Sequence, residues 1–312
     1  MNDTTSPAKI IVVGSANQDY LIRVSSPPGP GETVLAESLL RLPGGKGANQ
    51  AVAAARLRGD VSFVGCVGDD PDGAFLLRGL RSDGVDTTNV EIVNRGRTGL
   101  AIVSVFDSGE NSITVVPGTN FALTADRVEV TVARLAAEAS RSILVLQAEL
   151  QPEIIATALR TAHREGARCV FNLAPYQDVP ADLLALCDPL VVNEAEASAL
   201  VGQPVKDPDS AARAIGQLRR RVRSAVITIG PDGAYWADDS GEGHIPTPVG
   251  VDVVDTTGAG DAFVGALASS LARGMGLAAA TELGVSVGTY SVGRPGAQSS
   301  YPSLADLDAV PS

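Results

Sequence analysis

The stretch Val-Val-Asp-Thr-Thr-Gly-Ala-Gly-Asp-Ala-Phe at 253–263 puts Gly258, Ala259 and Gly260 directly ahead of an isolated carboxylate, Asp261, where an apolar helical segment begins. Glycine and alanine let backbone N–H groups converge without interference from larger side chains. A helix start adds unpaired amides and the positive end of its dipole. Such a turn suits an anion. An Asp beside a held phosphoryl group can take the proton of an attacking hydroxyl while the amides stabilise the developing charge. An Asp near a helix start also serves as a cap, so this segment alone leaves both readings open.

A second glycine-rich stretch, Leu-Pro-Gly-Gly-Lys-Gly-Ala-Asn-Gln at 42–50, precedes the helical AVAAARL. Its spacing is neither the GxxxxGK[ST] of a P-loop nor the GxGxxG of dinucleotide folds, which excludes phosphate cradling of those types. The glycines admit close backbone approach, while Lys46 and Asn49 offer directional donors to a hydroxyl-rich ligand. Lys46 is one of three lysines in an arginine-rich chain, which favours a specific role over general solvation. A tight turn feeding a buried helix is the alternative.

The elements that must position these residues follow from periodicity. Apolar runs at 10–13, 61–67, 143–146, 169–171, 190–192 and 225–229 read as strands, and helix-period segments at 48–57, 74–81, 125–138, 152–163 and 210–220 lie between most of them. This alternation predicts an α/β fold, a central mostly parallel sheet with helices on both faces. Two regions break the rhythm, 20–24 with 33–42 and 99–106 with 112–116, where strand-like alternation meets the turn signals PPGPGE and DSGEN. They predict a small β-sheet lid, with segments at about 18–42 and 98–118 inserted into one domain spanning 1–312. A plain surface flap is the alternative. Residues 303–312 read as a last helix and a frayed end.

Composition narrows the partners. The formal charge of −12 disfavours nucleic acid and anionic membrane, since either normally needs a Lys/Arg surface, and a small molecule is expected instead. The start of the chain has no basic segment followed by a long apolar run, and no apolar run approaches the length of a membrane span, so a cytoplasmic protein is expected. Cys66, Cys169 and Cys187 lack CxxC or metal-ligand spacing and read as buried thiols, and His163 and His244 as ordinary surface residues. Any general base is therefore expected to be Asp or Glu.

Taken together, GGKGANQAVAAARL and DTTGAGDAFVGAL resemble the paired signatures of the ribokinase-like family of carbohydrate kinases, also called the PfkB family. Long motifs paired across roughly two hundred residues are far more specific than either alone. The resemblance extends over nearly the whole chain through VVGSANQD, LVLQAEL, FNLAPY, VVNEAEASAL, VITIGPDGA and GRPGAQSSYP. It implies one large α/β domain with a β lid and Mg-ATP-dependent phosphorylation of a sugar hydroxyl, with ribose and its 5-hydroxyl favoured. In that role Asp261 is the base, and the Gly258, Ala259 and Gly260 amides form the anion hole. Asn17, Asp19, Gly45, Lys46, Asn49 and Glu149 match positions that bind sugar hydroxyls. Asn193 and Glu196 match the motif that organises Mg²⁺ and phosphate through water, consistent with the waters Mg²⁺ retains. Thr228, Gly230 and Gly233 match the nucleotide-binding strand and turn. Asp255, Thr257, Ser291, Arg294, Gly296 and Ser300 correspond to a loop that holds a monovalent cation, K⁺, largely through backbone carbonyls. Near Gly284, where relatives often carry a side chain beside adenine, this chain has none, which implies adenine recognition by backbone and apolar contacts.

Other sugar or nucleoside kinases of the family are the alternative. A sugar-binding regulatory protein without catalysis is the alternative of a different class, although pure binding needs none of the phosphoryl-transfer residues. A homodimer joined through the exposed lid strands is also expected.

Overall fold

Runs such as Ile10-Ile11-Val12-Val13 form strands covered on both faces, because successive side chains point to opposite sides of a sheet. In the computed structural model, Ile11 and Val13 pack with Leu144 and Leu146 in one apolar cluster, while Ile10 and Val12 pack with Ile143 and Val145 in another. The structure describes residues 7–108, 111–248 and 250–308. Part of the DSGEN turn signal, at 109 and 110, and the last four residues of the expected frayed end lie outside the described residues.

In chain order, β1 (Lys9–Val13), β2 (Asn17–Val24) and β3 (Ser38–Gly44) lead to α1 (Lys46–Arg56), β4 (Asp60–Gly68), α2 (Pro71–Ser82), β5 (Val90–Val93), β6 (Gly99–Phe106) and β7 (Asn111–Val116). Then come α3 (Ala125–Ala137), β8 (Ser142–Gln147), α4 (Pro152–Arg164), β9 (Arg168–Asn172), α5 (Ala181–Leu184), β10 (Leu190–Val192), α6 (Glu194–Val201) and α7 (Pro208–Leu218). The chain continues with β11 (Ala225–Thr228), β12 (Ala234–Asp238), β13 (Gly241–Ile245), α8 (Ala259–Ala272), α9 (Leu277–Val292) and α10 (Leu304–Asp308). Several helices start where local chemistry requires. Asp70 caps α2 ahead of Pro71, and Asn193 with Glu196, then Asp207 with Ser210, close reciprocal capping boxes on α6 and α7.

Among the described residues the large sheet has nine strands in the order β13-β12-β11-β10-β9-β8-β1-β4-β5. All pairings are parallel except those of β12 with its neighbours β11 and β13. The fold class is thus the expected α/β one. The terminal antiparallel pair carries too little apolar periodicity to stand out from sequence. The chain runs outward from β1 in both directions, to β4 on one side and β8 on the other. Such a reversal leaves a crevice at the carboxyl ends of the strands. Gly14 follows β1, Gln147 ends β8, and α1 and α8 pack together over the same region.

A separate four-stranded sheet has the order β3-β2-β6-β7. Its centre is the parallel pairing of β2 with β6, from Asn17 opposite Gly99 to Val24 opposite Phe106. Residues 33–37 form no strand, contrary to the alternation read over 33–42. The PPGPGE turn extends into them, and the strand instead runs on through Pro43 to Gly44. Pro43 is tolerated because β3 is an edge and one of its sides needs no donor.

Candidate active site

Asp261 sits in the first turn of α8, almost fully buried. The helix is preceded by Gly258 in the left-handed region, with φ of 77°. A Cβ there would stand 2.5 Å from the Tyr301 hydroxyl and 2.6 Å from the Ala297 Cβ, so both backbone and packing demand glycine. The first N–H of α8 to bond a carbonyl four residues back is that of Ala262, which donates to Gly258 O at 2.8 Å. Earlier amides lack such partners by helix geometry. Ala259 N–H is the exception within the turn, reaching back to Thr256 O at 3.3 Å, while the N–H groups of Gly258 and Gly260 have no backbone partner among the described residues.

The Asp261 carboxylate is held from both oxygens. Asn49 Nδ2 donates to Oδ2 and Gln50 Nε2 to Oδ1, each at 2.9 Å. Asn49 in turn accepts from Gln298 Nε2 at 2.9 Å, and Gln50 accepts from Gln147 Nε2 at 2.7 Å. Gln50, Gln147, Asn172 and Gln298 were quoted within motifs above but given no role there. Neutral amides carry no charge signal, and only their spatial meeting reveals them.

α1 begins at Lys46 without a side-chain cap from its own Gly45. Glu149 supplies one from afar: its Oε2 accepts from Lys46 N–H at 3.1 Å and from the Ser15 hydroxyl at 2.5 Å. A carboxylate at a helix start is favoured by the helix dipole. The charges of Asp261 and then of Glu149 and Glu196 raise the Lys46 ammonium above its ordinary pKa against the opposing effect of burial. Asp19, on β2, has its carboxyl pushed up to about 7, first by burial and then by the charges of Glu149 and Asp261. Its Oδ1 is buried without a hydrogen-bond partner among the described residues. The space it occupies exists because residue 44 is glycine, whose Cβ would lie 2.0 Å from Asp19 Oδ2. Asn17 Oδ1 accepts from Asn120 Nδ2 at 2.7 Å, a second partner not foreseen from sequence.

A cavity of about 250 Å³ adjoins these groups, lined by Lys46, Asn193, Glu196, Thr228, Gly258, Gly260 and Asp261 among others. Glu196 is almost fully buried, and burial raises its carboxyl above the usual range even though Asn193 N–H donates to it at 2.8 Å. Gly230 and Gly233 do not line the cavity. Gly233 instead lets β13 approach, since a Cβ there would meet Ile245 O at 2.0 Å. Gly284 is filled from below by the Phe263 ring, 2.8 Å from where its Cβ would be.

The 255–257 turn and the late GRPGAQSSYP loop do meet. Asp255 accepts from Thr257 N–H at 2.9 Å and Gly296 N–H at 2.8 Å, and these bonds hold its carboxyl below the usual range despite partial burial. Tyr301 donates to Gly258 O at 3.1 Å. The Ser291 and Ser300 hydroxyls bond local carbonyls, Gly288 O and Ala297 O, and the Arg294 guanidinium lies 3.7 Å over the Tyr290 ring. Cys66, Cys169 and Cys187 are buried, with burial pushing the thiols of Cys66 and Cys169 up to about 12. His163 and His244 are exposed.

This arrangement joins a buried carboxylate, a cation and a helix-start amide cluster at one crevice, which suits proton removal from a hydroxyl beside a bound anion. A family model described as pfkB family carbohydrate kinase matches residues 7–304. The ribokinase of Schizosaccharomyces pombe is 38% identical over 309 residues, covering 96% of each chain. The deoxyribokinase of Salmonella typhi is 35% identical over 304 residues, covering 96% of this chain and 97% of the relative. The structure of Arabidopsis thaliana ribokinase complexed with ribose and ATP aligns with a TM-score of 0.87 at 28% identity, covering 97% of this chain and 98% of that one.

Proposed function

The chain belongs to the pfkB family of carbohydrate kinases, and from that membership we infer that it transfers a phosphoryl group from ATP to the 5-hydroxyl of D-ribose, giving ribose 5-phosphate. The observation that carries the reading is the convergence of Asp19, Glu149, Asp261 and Lys46 at the switch of the large sheet, with Asp19 Oδ1 buried and unpartnered. A polyol supplies hydroxyls that both donate and accept, which is what a buried orphan acceptor among carboxylates and amides requires. Asp19 and Glu149, with Asn17, Asn49, Gly45 and Lys46, bind the sugar. Asp261 accepts the proton of the attacking hydroxyl, and the Gly258 and Gly260 amides face the transferred phosphoryl group. Thr228 lines the nucleotide side of the cavity, while Gly230 and Gly233 shape the turn that follows its strand.

One buried carboxylate, Glu196, beside Asn193 and an open cavity fits Mg²⁺, which takes few protein ligands and keeps waters. When bound, it supplies positive charge to the nucleotide phosphates. The meeting of the 255–257 turn with the 291–300 loop fits a K⁺ held by carbonyls, with Asp255 as its charge partner. A cytoplasmic site of action goes with the use of ATP, and no helix among the described residues is long and apolar enough to cross a membrane. The edge strands β3 and β7 expose Leu39, Leu40, Ile113 and Val115, which supports pairing of two copies through the smaller sheet.

A turnover assay with ATP over ribose, deoxyribose, fructose, adenosine and uridine tests the substrate. Ribose is expected to give the highest kcat/KM, and a preference for deoxyribose would move the chain toward the relative from Salmonella typhi. Asp261→Asn tests the chemistry. Turnover is expected to fall by about 10²–10⁴ with ribose binding still measurable by calorimetry, and near-wild-type kcat would remove Asp261 from the role of base.

A further inference from the structure

We propose that Gln50 is the positioning residue of the catalytic carboxylate, holding Asp261 in its working orientation through a chain of buried amides that begins at Gln147. The inference rests on the phosphoryl-transfer reading above.

Gln50 lies one position beyond Asn49 on α1 and is fully buried. Its amide is engaged at both ends: Nε2 donates to Asp261 Oδ1 at 2.9 Å and to Asn172 Oδ1 at 3.0 Å, while Oε1 accepts from Gln147 Nε2 at 2.7 Å. Each neighbour is oriented in turn. Asn172 Nδ2 donates to Val191 O at 3.2 Å, which turns its oxygen toward Gln50. Gln147 ends β8, and its own Oε1 is buried with no partner among the described residues. That oxygen lies against Gly14, where any Cβ would stand 2.2 Å from it.

The polarity of the chain has one direction. An ionised Asp261 accepts and cannot donate, so Gln50 must present N–H to it, which leaves Gln50 Oε1 facing Gln147 and obliges Gln147 to present N–H as well. Asn49 holds the other oxygen but also borders the sugar site, so it can exchange partners when a sugar enters. Gln50 faces only protein. It is therefore the constant restraint on the carboxylate, and β8 and β9 transmit their placement to the base through it.

The test is Gln50→Met, which keeps length and removes both donors. Calorimetry measures the ribose Kd, steady-state assays measure kcat and KM, and a melt verifies folding. A loss of about ten- to a hundredfold in kcat is expected, with ribose Kd and KM within about twofold of wild type. The same substitution in Asp261→Asn, followed by radiolabelled phosphoryl transfer, is expected to cost no further rate, since Gln50 acts only through Asp261. Should Gln50→Met fail to fold, Gln147→Met takes its place. It cannot donate to Gln50 Oε1 and is expected to lower kcat in the same sense, also without raising KM. Unchanged kcat in a folded variant, or a loss confined to KM and sugar affinity, overturns the proposal. If wild type shows no sugar-dependent ATP turnover, or Asp261→Asn is fully active, it is the phosphoryl-transfer reading that fails.

Discussion

Asp19 shows how one residue couples the site to stability. A carboxyl whose folded pKa of about 7 stands above its ordinary 3.8 binds its proton more tightly in the native state, so its contribution to stability is full below the ordinary value and is lost as pH rises through about 7. The cause is first burial and then the nearby charges of Glu149 and Asp261, all of which disfavour ionisation. The ligand-free protein is therefore expected to melt at progressively lower temperature from about pH 5 to about pH 8, and Asp19→Asn, neutral throughout, is expected to give a shallower dependence. Parallel melting curves for the two proteins would show that the burial of Asp19 does not govern ionisation in this window.

The turn before α8 is an element held from outside itself. Tyr301 donates to Gly258 O, Gly296 N–H to Asp255, and Ala297 packs against Gly258, so the late loop braces the amides proposed to face the phosphoryl group. Gly258→Ala forces a side chain into a left-handed position already filled by Tyr301 and Ala297. A loss of about 1–3 kcal/mol in stability is expected, together with a fall in kcat larger than any change in ribose KM. Unaltered kcat would detach the turn from the chemical step. The proposed K⁺ acts on the same brace. Rates at constant ionic strength are expected to be higher in K⁺ than in Na⁺ or tetramethylammonium, with the difference in kcat. Equal rates in all three would leave Asp255 solely as the residue that ties Thr257 to Gly296.

Across the whole molecule, the smaller sheet connects to the larger one at the end that carries the proposed active site. Asp19 on β2 belongs to the site, while its neighbour Tyr20 donates to Asp72 of α2 at 3.1 Å and Arg41 of β3 pairs with the same carboxylate. These partly exposed polar contacts stabilise one position of the sheet only weakly, which suits a part that moves. With ribose bound, hydrogen exchange is expected to slow in β2, β3 and β6 as the sheet closes over the sugar and excludes water. Unchanged exchange in these strands would make the sheet a static flap.

Glycine-rich turns, an acid at a helix start and apolar runs between helical segments were legible in the sequence because their meaning is local. Gly258 and Asp261 share one turn, so spacing alone positions them, while Asn193 and Glu196, which close one capping box, were picked out only through the resemblance to the family. The α/β class followed from the same local alternation. The amide chain was not legible. Gln50, Gln147 and Asn172 are distant in sequence and meet one another, with Gln50 reaching Asp261, only because β8 lies beside β1 and α1 packs on α8. The parallel pairing of β2 with β6 across the intervening helices was hidden for the same reason. Strand order is decided by which apolar faces can be buried together, a property of the whole chain. A neutral amide acquires a direction only once a charged neighbour fixes which of its ends must donate.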